Sequence, residues 1–330
     1  MVETIYIEQN IVDHPRTQSI CARFAGARQI ICDRYTEVFN PKSQNFRLQK
    51  AQPSLILAKK HNNLVLKTPP GYGLGATENY YFSHMLNCLY DCRYCFLQGM
   101  YNSANYVVFV NFEDFAENIT SLSQATPDKE IHFFSGYDCD SLAFDPVTQF
   151  ANCFLDTFQN LSNAWLELRT KSTQIRSLLS RPVIKNCIVA YSFTPAEVST
   201  ALEHKVPAYK RRLEALRKLS DQGWNIGLRF DPLIYQENYQ DQYRRLFRDV
   251  FADIDVSRIH SVSFGNFRLP KKFFGKITRL YPDEKLFAGP LKSSKGLVSY
   301  NTSLESEMME FCSRELLNYI PKTALFPCTN

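Results

Sequence analysis

Between about residues 78 and 264 the chain alternates short apolar strands with helical patterns, which confines this stretch to parallel βαβ units. The strand-like runs are Tyr80–Met85, Glu130–Ser135, Trp165–Thr170, Cys187–Phe193, Asn225–Asp231 and Ile259–Phe264. Helical periodicity marks Phe112–Ser123, Pro146–Gln159, Thr173–Leu179, Pro207–Gln222 and Tyr239–Ala252. One more run, Tyr106–Val110, is set aside as an accessory strand. Six strands in one series are too few for a closed eight-stranded barrel and suit an open, partial one. The expected fold class is α/β, a partial (β/α)6 barrel of the TIM type.

The flanks read differently. Residues 1–75 begin as a small α/β unit, with strand Thr4–Ile11, helix Arg16–Ala25 and strand Arg28–Tyr35. An irregular stretch follows from Pro41 to Gly75; it contains Lys59-Lys60-His61-Asn62-Asn63 and ends in Pro69-Pro-Gly-Tyr-Gly-Leu-Gly75. Residues 76–267 are expected to be the barrel. Residues 268–330 are read as a C-terminal extension with a basic-aromatic stretch, a turn region, helix Ser303–Ile320 and the strand-like Ala324–Cys328. At 330 residues and 45% hydrophobic, the chain can bury one large core or two smaller ones. No apolar run approaches the roughly 20 residues of a membrane span, so no membrane partner is expected. The start Met-Val-Glu-Thr-Ile-Tyr lacks the basic and apolar regions of a signal peptide. Ten cysteines in such a chain point to a reducing, cytoplasmic setting and to metal or redox use. A formal charge of +5 permits nucleic-acid binding without requiring it.

Three of the cysteines are clustered. Cys88, Cys92 and Cys95 lie in Asn87-Cys-Leu-Tyr-Asp-Cys-Arg-Tyr-Cys-Phe96, spaced C-x3-C-x2-C. The strand run before them and a small, flexible segment expected around Gly99 put them on a loop at the C-terminal end of a strand, where barrel enzymes keep their chemistry. Clusters used for electron transfer alone normally take four Cys ligands. Three thiolates leave one iron of a [4Fe-4S] cluster open to a substrate. A structural zinc site would need a fourth ligand, and His84 is near enough in sequence to offer one nitrogen.

With the aromatic Tyr94 beside the last cysteine, this motif resembles the radical S-adenosylmethionine superfamily, whose partial six-stranded barrel agrees with the strand count. The runs Tyr94-Cys95-Phe-Leu-Gln98, Val110-Asn-Phe-Glu-Asp114, Thr170-Lys171-Ser172 and Tyr191-Ser192-Phe193 are similar to the spore photoproduct lyase family, over about residues 78–270. The resemblance implies a [4Fe-4S] cluster on Cys88, Cys92 and Cys95, with S-adenosyl-L-methionine completing the open iron. It implies an electron donor such as a flavodoxin or ferredoxin, and a radical that attacks a methylene-bridged thymine dimer in DNA. Lys171, closing a strand, takes the family's place for a lysine that meets the cofactor carboxylate, and Ser192 that of a serine offering a hydroxyl. Gly136 would let backbone approach the methionyl group. Asp231 could face the adenosine sugar, or instead be a buried acid paired to Arg229.

The departures concern the return of hydrogen to the product. Where the family pattern has a thiol three residues before an Asp, matched here on Asp140, this chain has Tyr137, with Cys139 two residues later. Where the pattern has a second tyrosine after the last cluster cysteine, it has Phe96. Cys139 could act as a displaced donor, Tyr137 could donate directly with Tyr94 nearby, or hydrogen could return from 5′-deoxyadenosine. The substrate could also differ: another lesion, or RNA. A third reading is a non-enzymatic, metal-bearing nucleic-acid-binding protein. Lys210-Arg-Arg212 with Arg217-Lys218 reads as a solvated helix face. Arg268-Leu-Pro-Lys-Lys-Phe-Phe-Gly-Lys276, with Arg279 and Tyr281, and then Lys292 and Lys295, could track a phosphate backbone.

Overall fold

Apolar runs buried on both faces build the centre of the molecule. The computed structural model describes residues 2–40, 42, 44–69, 72–252 and 254–328. Met1, Pro41, Pro70 and Gly71, named above, lie outside them. The six strands of the series are Glu78–Phe82, Ile131–Ser135, Ala164–Thr170, Cys187–Ser192, Asn225–Leu233 and Ile259–Asn266. They pair in parallel, each with the next in sequence, as a curled half-barrel. Leu325–Pro327 adds a further parallel strand beside the sixth, and Leu66–Lys67 caps the first in antiparallel.

Helices cover the outer face for the reason their sequences give. Helix Tyr239–Phe251 buries Tyr239, Gln242, Tyr243, Leu246, Phe247, Val250 and Phe251, a stripe at 3- and 4-residue intervals. Phe82 on the first strand packs outward against Phe115, Phe150 and Phe154 from two helices. Alternation then turns Tyr81 to the opposite, inner face. The expected helix Pro146–Gln159 is two helices, Asp145–Thr148 and Phe150–Phe158. Gln149 between them is left-handed at φ 55°, and the Asp145 carboxylate caps the second by accepting from the Ala151 N–H at 2.7 Å.

The interval from Pro41 to Gly75 is more ordered than its sequence indicates. It contains helix Phe46–Ala51 and a fully buried strand, Leu55–Ala58. That strand lies at the middle of a second sheet ordered Arg28–Cys32, Thr4–Glu8, Leu55–Ala58, Tyr106–Phe109, Met85–Leu86, parallel except for the last. Ile56 and Ala58 join the main core while Leu55 and Leu57 join a second, smaller one. A four-residue apolar run between polar flanks has too short a period to be read as helix or strand. Tyr106–Phe109 is therefore not an accessory piece. With Met85–Leu86 it carries the N-terminal sheet across residue 75 and around the cysteine loop.

The C-terminal extension is also regular. The basic-aromatic stretch forms strand Arg268–Pro270 and helix Lys271–Leu280. Strands Leu291–Ser294 and Leu297–Tyr300 make a hairpin whose turn residues Lys295 and Gly296 have φ of 47° and 82°, the two-residue turn that suits strand twist.

The inside of the half-barrel is polar. Glu167 accepts from Arg229 at 2.7 Å and from Arg169 at 3.0 Å, and burial, which opposes its charge, is outweighed by the two guanidiniums, which hold its pKa to about 2. Arg229 is thus the partner of Glu167, not of Asp231. Nearby, His132, Trp165 and His260 pack ring against ring, with His132 only 2% exposed and both its nitrogens without a hydrogen bond. Burial lowers both histidines to about 4, with the neighbouring imidazole and Arg229 adding to the effect at His132 and Arg229 at His260.

A histidine depressed in the fold stabilises it fully above its unfolded pKa of about 6.5 and loses that contribution as pH falls through this window. Cluster-free protein should therefore lose stability to urea between pH 7 and pH 4.5. His132→Phe should remove a part of the loss on the order of 3 kcal/mol. An unchanged pH dependence in that variant would show that the imidazole does not carry it.

Candidate active site

The cysteine loop leaves the C-terminal end of the first barrel strand and is held on three sides. Asn87 opens it with φ 67°, its amide donating to the carbonyls of Ser103 and Asn105 at 2.9 and 2.7 Å. Asp91 and Cys92 form a short antiparallel ladder with Glu203 and His204, and the Arg93 N–H donates to the Leu202 carbonyl at 2.8 Å. The Arg93 side chain pairs with Asp91 at 2.9 Å and lies 3.8 Å from the Tyr281 ring centroid. The segment around Gly99 is a helical turn, Leu97–Met100, and not a flexible linker. A Cβ on Gly99 would meet the Phe273 carbonyl at 2.8 Å, so only glycine lets helix Lys271–Leu280 close against the loop.

Cys88, Cys92 and Cys95 line one cavity together with Lys50, Tyr90 and Gln98. Burial raises all three thiols, Cys88 to about 12; Lys50 beside Cys88 and Cys95, and Lys171 beside Cys92 and Cys95, pull the other way. His84 does not join them. Its ring stacks on Phe150 at 3.6 Å and burial lowers its pKa to about 3. Among the described residues no three His, Cys, Asp or Glu side chains converge on a single ion-sized point. Three thiols around one cavity, without a fourth protein ligand, fit a multi-iron cluster with an open iron and not a closed zinc site.

Beside this cavity stands a buried carboxylate that the sequence reading did not pick out. Glu203 accepts from Arg212 at 2.6 Å, Ser199 at 2.8 Å, Thr194 at 3.1 Å and the Tyr94 hydroxyl, and Lys171 Nζ lies 3.8 Å away. Burial opposes its ionisation, but Lys171 and Arg212 lower its pKa overall. Arg212, expected on a solvated face, is fully buried because that carboxylate requires a partner. Ser192 ends the fourth strand, buried, with its carbonyl accepting from Arg212 at 3.3 Å. Tyr94 is walled in with its hydroxyl engaged, which separates it from the open mouth.

Asp140 ties two strand ends together. It accepts from Thr170 Oγ1 at 2.7 Å, from the Lys171 N–H at 2.6 Å, and from the N–H groups of Leu142 and Ala143 at 3.0 and 2.9 Å. Gly136 turns into that loop with φ 78°, and a Cβ there would meet Ser141 Oγ at 2.5 Å. Its demand is thus local, whether or not a ligand approaches. Cys139 and Tyr137 part company. The Cys139 thiol is buried in the second core with Met85 and Phe144, whereas Tyr137 is 40% exposed, its ring 4.6 Å from Tyr81 and 5.6 Å from Phe96. Desolvation raises the Asp231 pKa against the pull of Arg268, Arg169 and Lys171.

The basic stretches are engaged only in part. Lys276 donates to Asn102 at 2.7 Å and Arg279 to the Gly275 carbonyl at 2.9 Å, while Lys292 and Lys295 are exposed on the hairpin.

Comparison with known proteins agrees with this geometry. A family model described as spore photoproduct lyase matches residues 1–290. The spore photoproduct lyase of Bacillus subtilis (strain 168) is 22% identical over 291 residues, covering 86% of this chain and 83% of that protein. A spore photoproduct lyase variant with bound AdoMet and dinucleoside spore photoproduct superposes with a TM-score of 0.84 at 17% identity, over 100% of this chain and 98% of that one. A spore photoproduct lyase complexed with dinucleoside spore photoproduct gives 0.83 at the same identity and coverage. The likeness covers the half-barrel and both flanks.

Glu203→Gln should leave the Arg212 guanidinium buried without its counter-charge, at a cost of about 3–5 kcal/mol. Urea unfolding of the cluster-free variant measures the loss. A change below 1 kcal/mol would remove Glu203 from the centre of this site.

Proposed function

The chain belongs to the spore photoproduct lyase family, and so to the radical S-adenosylmethionine superfamily, and on that premise we propose that it reverts a methylene-bridged thymine dimer in DNA to two thymines. One observation carries the reading: the three cysteines and Lys171 meet at the same end of the half-barrel, beside Glu203. When bound there, the [4Fe-4S] cluster and S-adenosyl-L-methionine supply a 5′-deoxyadenosyl radical that removes a hydrogen from the lesion.

The chain's own residues have separate tasks. Cys88, Cys92 and Cys95 hold the cluster. Lys171 exchanges its contact with Glu203 for the carboxylate of the cofactor, Ser192 offers its hydroxyl, and Asp231 faces the sugar. The backbone at Gly136 borders the methionyl group. Burial of the site excludes water from a reactive carbon radical. The lesion is extruded into the barrel mouth, as enzymes acting on bases require, with Lys292 and Lys295 against the phosphates.

For the hydrogen return, exposure favours Tyr137 over Cys139: the thiol is buried in the second core, while the Tyr137 ring is 40% exposed and stands beside Phe96, next to Cys95. Tyr137 gives its O–H hydrogen atom to the thymine radical and is restored by an electron and a proton. The electron comes from a cytoplasmic flavodoxin or ferredoxin. Phe96 and Tyr137 also favour a second reading, in which the same chemistry serves another lesion or RNA. Irradiated DNA and irradiated RNA as parallel substrates separate the two.

Cys92→Ala should abolish both the cluster absorption and 5′-deoxyadenosine formation, and a fully active variant would defeat the radical mechanism. The phenol proton of Tyr137 exchanges with solvent, so turnover in D2O should place one deuterium in the repaired thymine. Tyr137→Phe should lower that incorporation and repair at least tenfold. Deuterium arriving instead from cofactor labelled at its 5′ carbon would assign the return to 5′-deoxyadenosine.

A further inference from the structure

A second cleft opens between the N-terminal sheet and the first barrel strand. It lies outside the carboxyl ends of two parallel strands, Arg28–Cys32 and Leu55–Ala58, the position where open α/β sheets bind ligands. Arg34 follows the first strand; Lys59, Lys60 and His61 follow the second. The turns that carry them are pre-set. The Glu8 carboxylate, 3% exposed, accepts from the Tyr35 N–H at 2.7 Å through one oxygen and from the Lys59 N–H at 2.9 Å through the other. Asn111 then fixes Lys60, accepting from its N–H and donating to its carbonyl, each at 2.9 Å.

The charges sort into two groups. Lys60 turns inward over the rings of Phe109 and Phe115, at 5.3 and 5.7 Å, where it offsets Asp138. Arg34 is exposed and has no ion pair among the described residues. Lys59 meets only Asp114, at 3.5 Å with both side chains 39% exposed, a pair weak enough for a phosphate to replace. Across the cleft stands the Tyr81–Tyr137 ring pair, and Tyr137 also lies 5.6 Å from Phe96, the residue after Cys95.

Cations on one wall and an exposed aromatic face on the other form the arrangement that holds a single nucleotide by phosphate and base. Building on the lyase reading above, we propose that this cleft binds the nucleotide next to the lesion on the damaged DNA strand. Its phosphate lies between Arg34 and Lys59, and its base rests toward Tyr137. Arg34 and Lys59 serve strand binding and take no part in the chemistry.

The test uses the full chain with its cluster and the double variant Arg34→Gln/Lys59→Gln. Fluorescence anisotropy on a single-stranded 12-mer DNA bearing one lesion should show affinity weakened about tenfold. The slope of log affinity against log salt should fall by about 0.7, the value for one phosphate contact on single strands. Turnover of the dinucleoside lesion, too short to enter the cleft, should be unchanged. Unaltered affinity and slope would overturn the proposal, as would a parallel loss of dinucleoside turnover. Should the parent protein leave the dinucleoside untouched, the lyase reading fails, while the anisotropy measurement still decides the cleft.

Discussion

The buried charge of Glu203 is the constraint around which the site is arranged. A carboxylate removed from water is costly unless cations and hydrogen bonds compensate it. Arg212 comes from one helix, Lys171 from a barrel strand, Tyr94 from the cysteine loop, and Thr194 and Ser199 from the segment after the fourth strand. Each of these elements is fixed relative to the others by one group. Because Glu203 also faces Cys92 across the short ladder, the cysteine loop and Lys171 share a single reference point.

The loop is held as firmly from its other side. Met85–Leu86 and Tyr106–Phe109 flank it in sequence, yet both pair into the N-terminal sheet. Helix Lys271–Leu280 closes over Gly99, and Tyr281 lies on Arg93. Three regions that are separate in sequence thus converge on the cysteines. Loops of this kind keep their ligands within the tight geometry a site needs only when such outer contacts are present.

Hydrogen return is where this chain differs from the pattern it resembles. Sequence spacing leaves Cys139 and Tyr137, two residues apart, as protein donors to weigh beside return from 5′-deoxyadenosine or a different substrate. Packing separates them, since the loop turns at Gly136, buries one side chain in the second core and leaves the other exposed beside Tyr81 and Phe96. The Phe96 ring stands 5.6 Å from Tyr137, so the position that lacks a hydroxyl still shapes the wall around the one that has it.

Much of the barrel could be read directly. The 3.6-residue stripe of helix Tyr239–Phe251 and the short apolar strands around it are local patterns, and C-x3-C-x2-C is a local motif whose ligand chemistry does not depend on distant residues. Strand Leu55–Ala58 was not legible, because four apolar residues have no measurable period and their role depends on which strands lie beside them. Glu203 and Arg212 look like ordinary surface charges in sequence. Only tertiary packing, which removes both from water and brings them within 2.6 Å, makes them the centre of the site. The sequence by itself determined the half-barrel and the thiol donors, since both follow from short-range periodicity and spacing. The tertiary structure decided which charges are buried, which tyrosine is open and which strands surround the loop, because burial is a property of what packs against a residue and not of the residue itself.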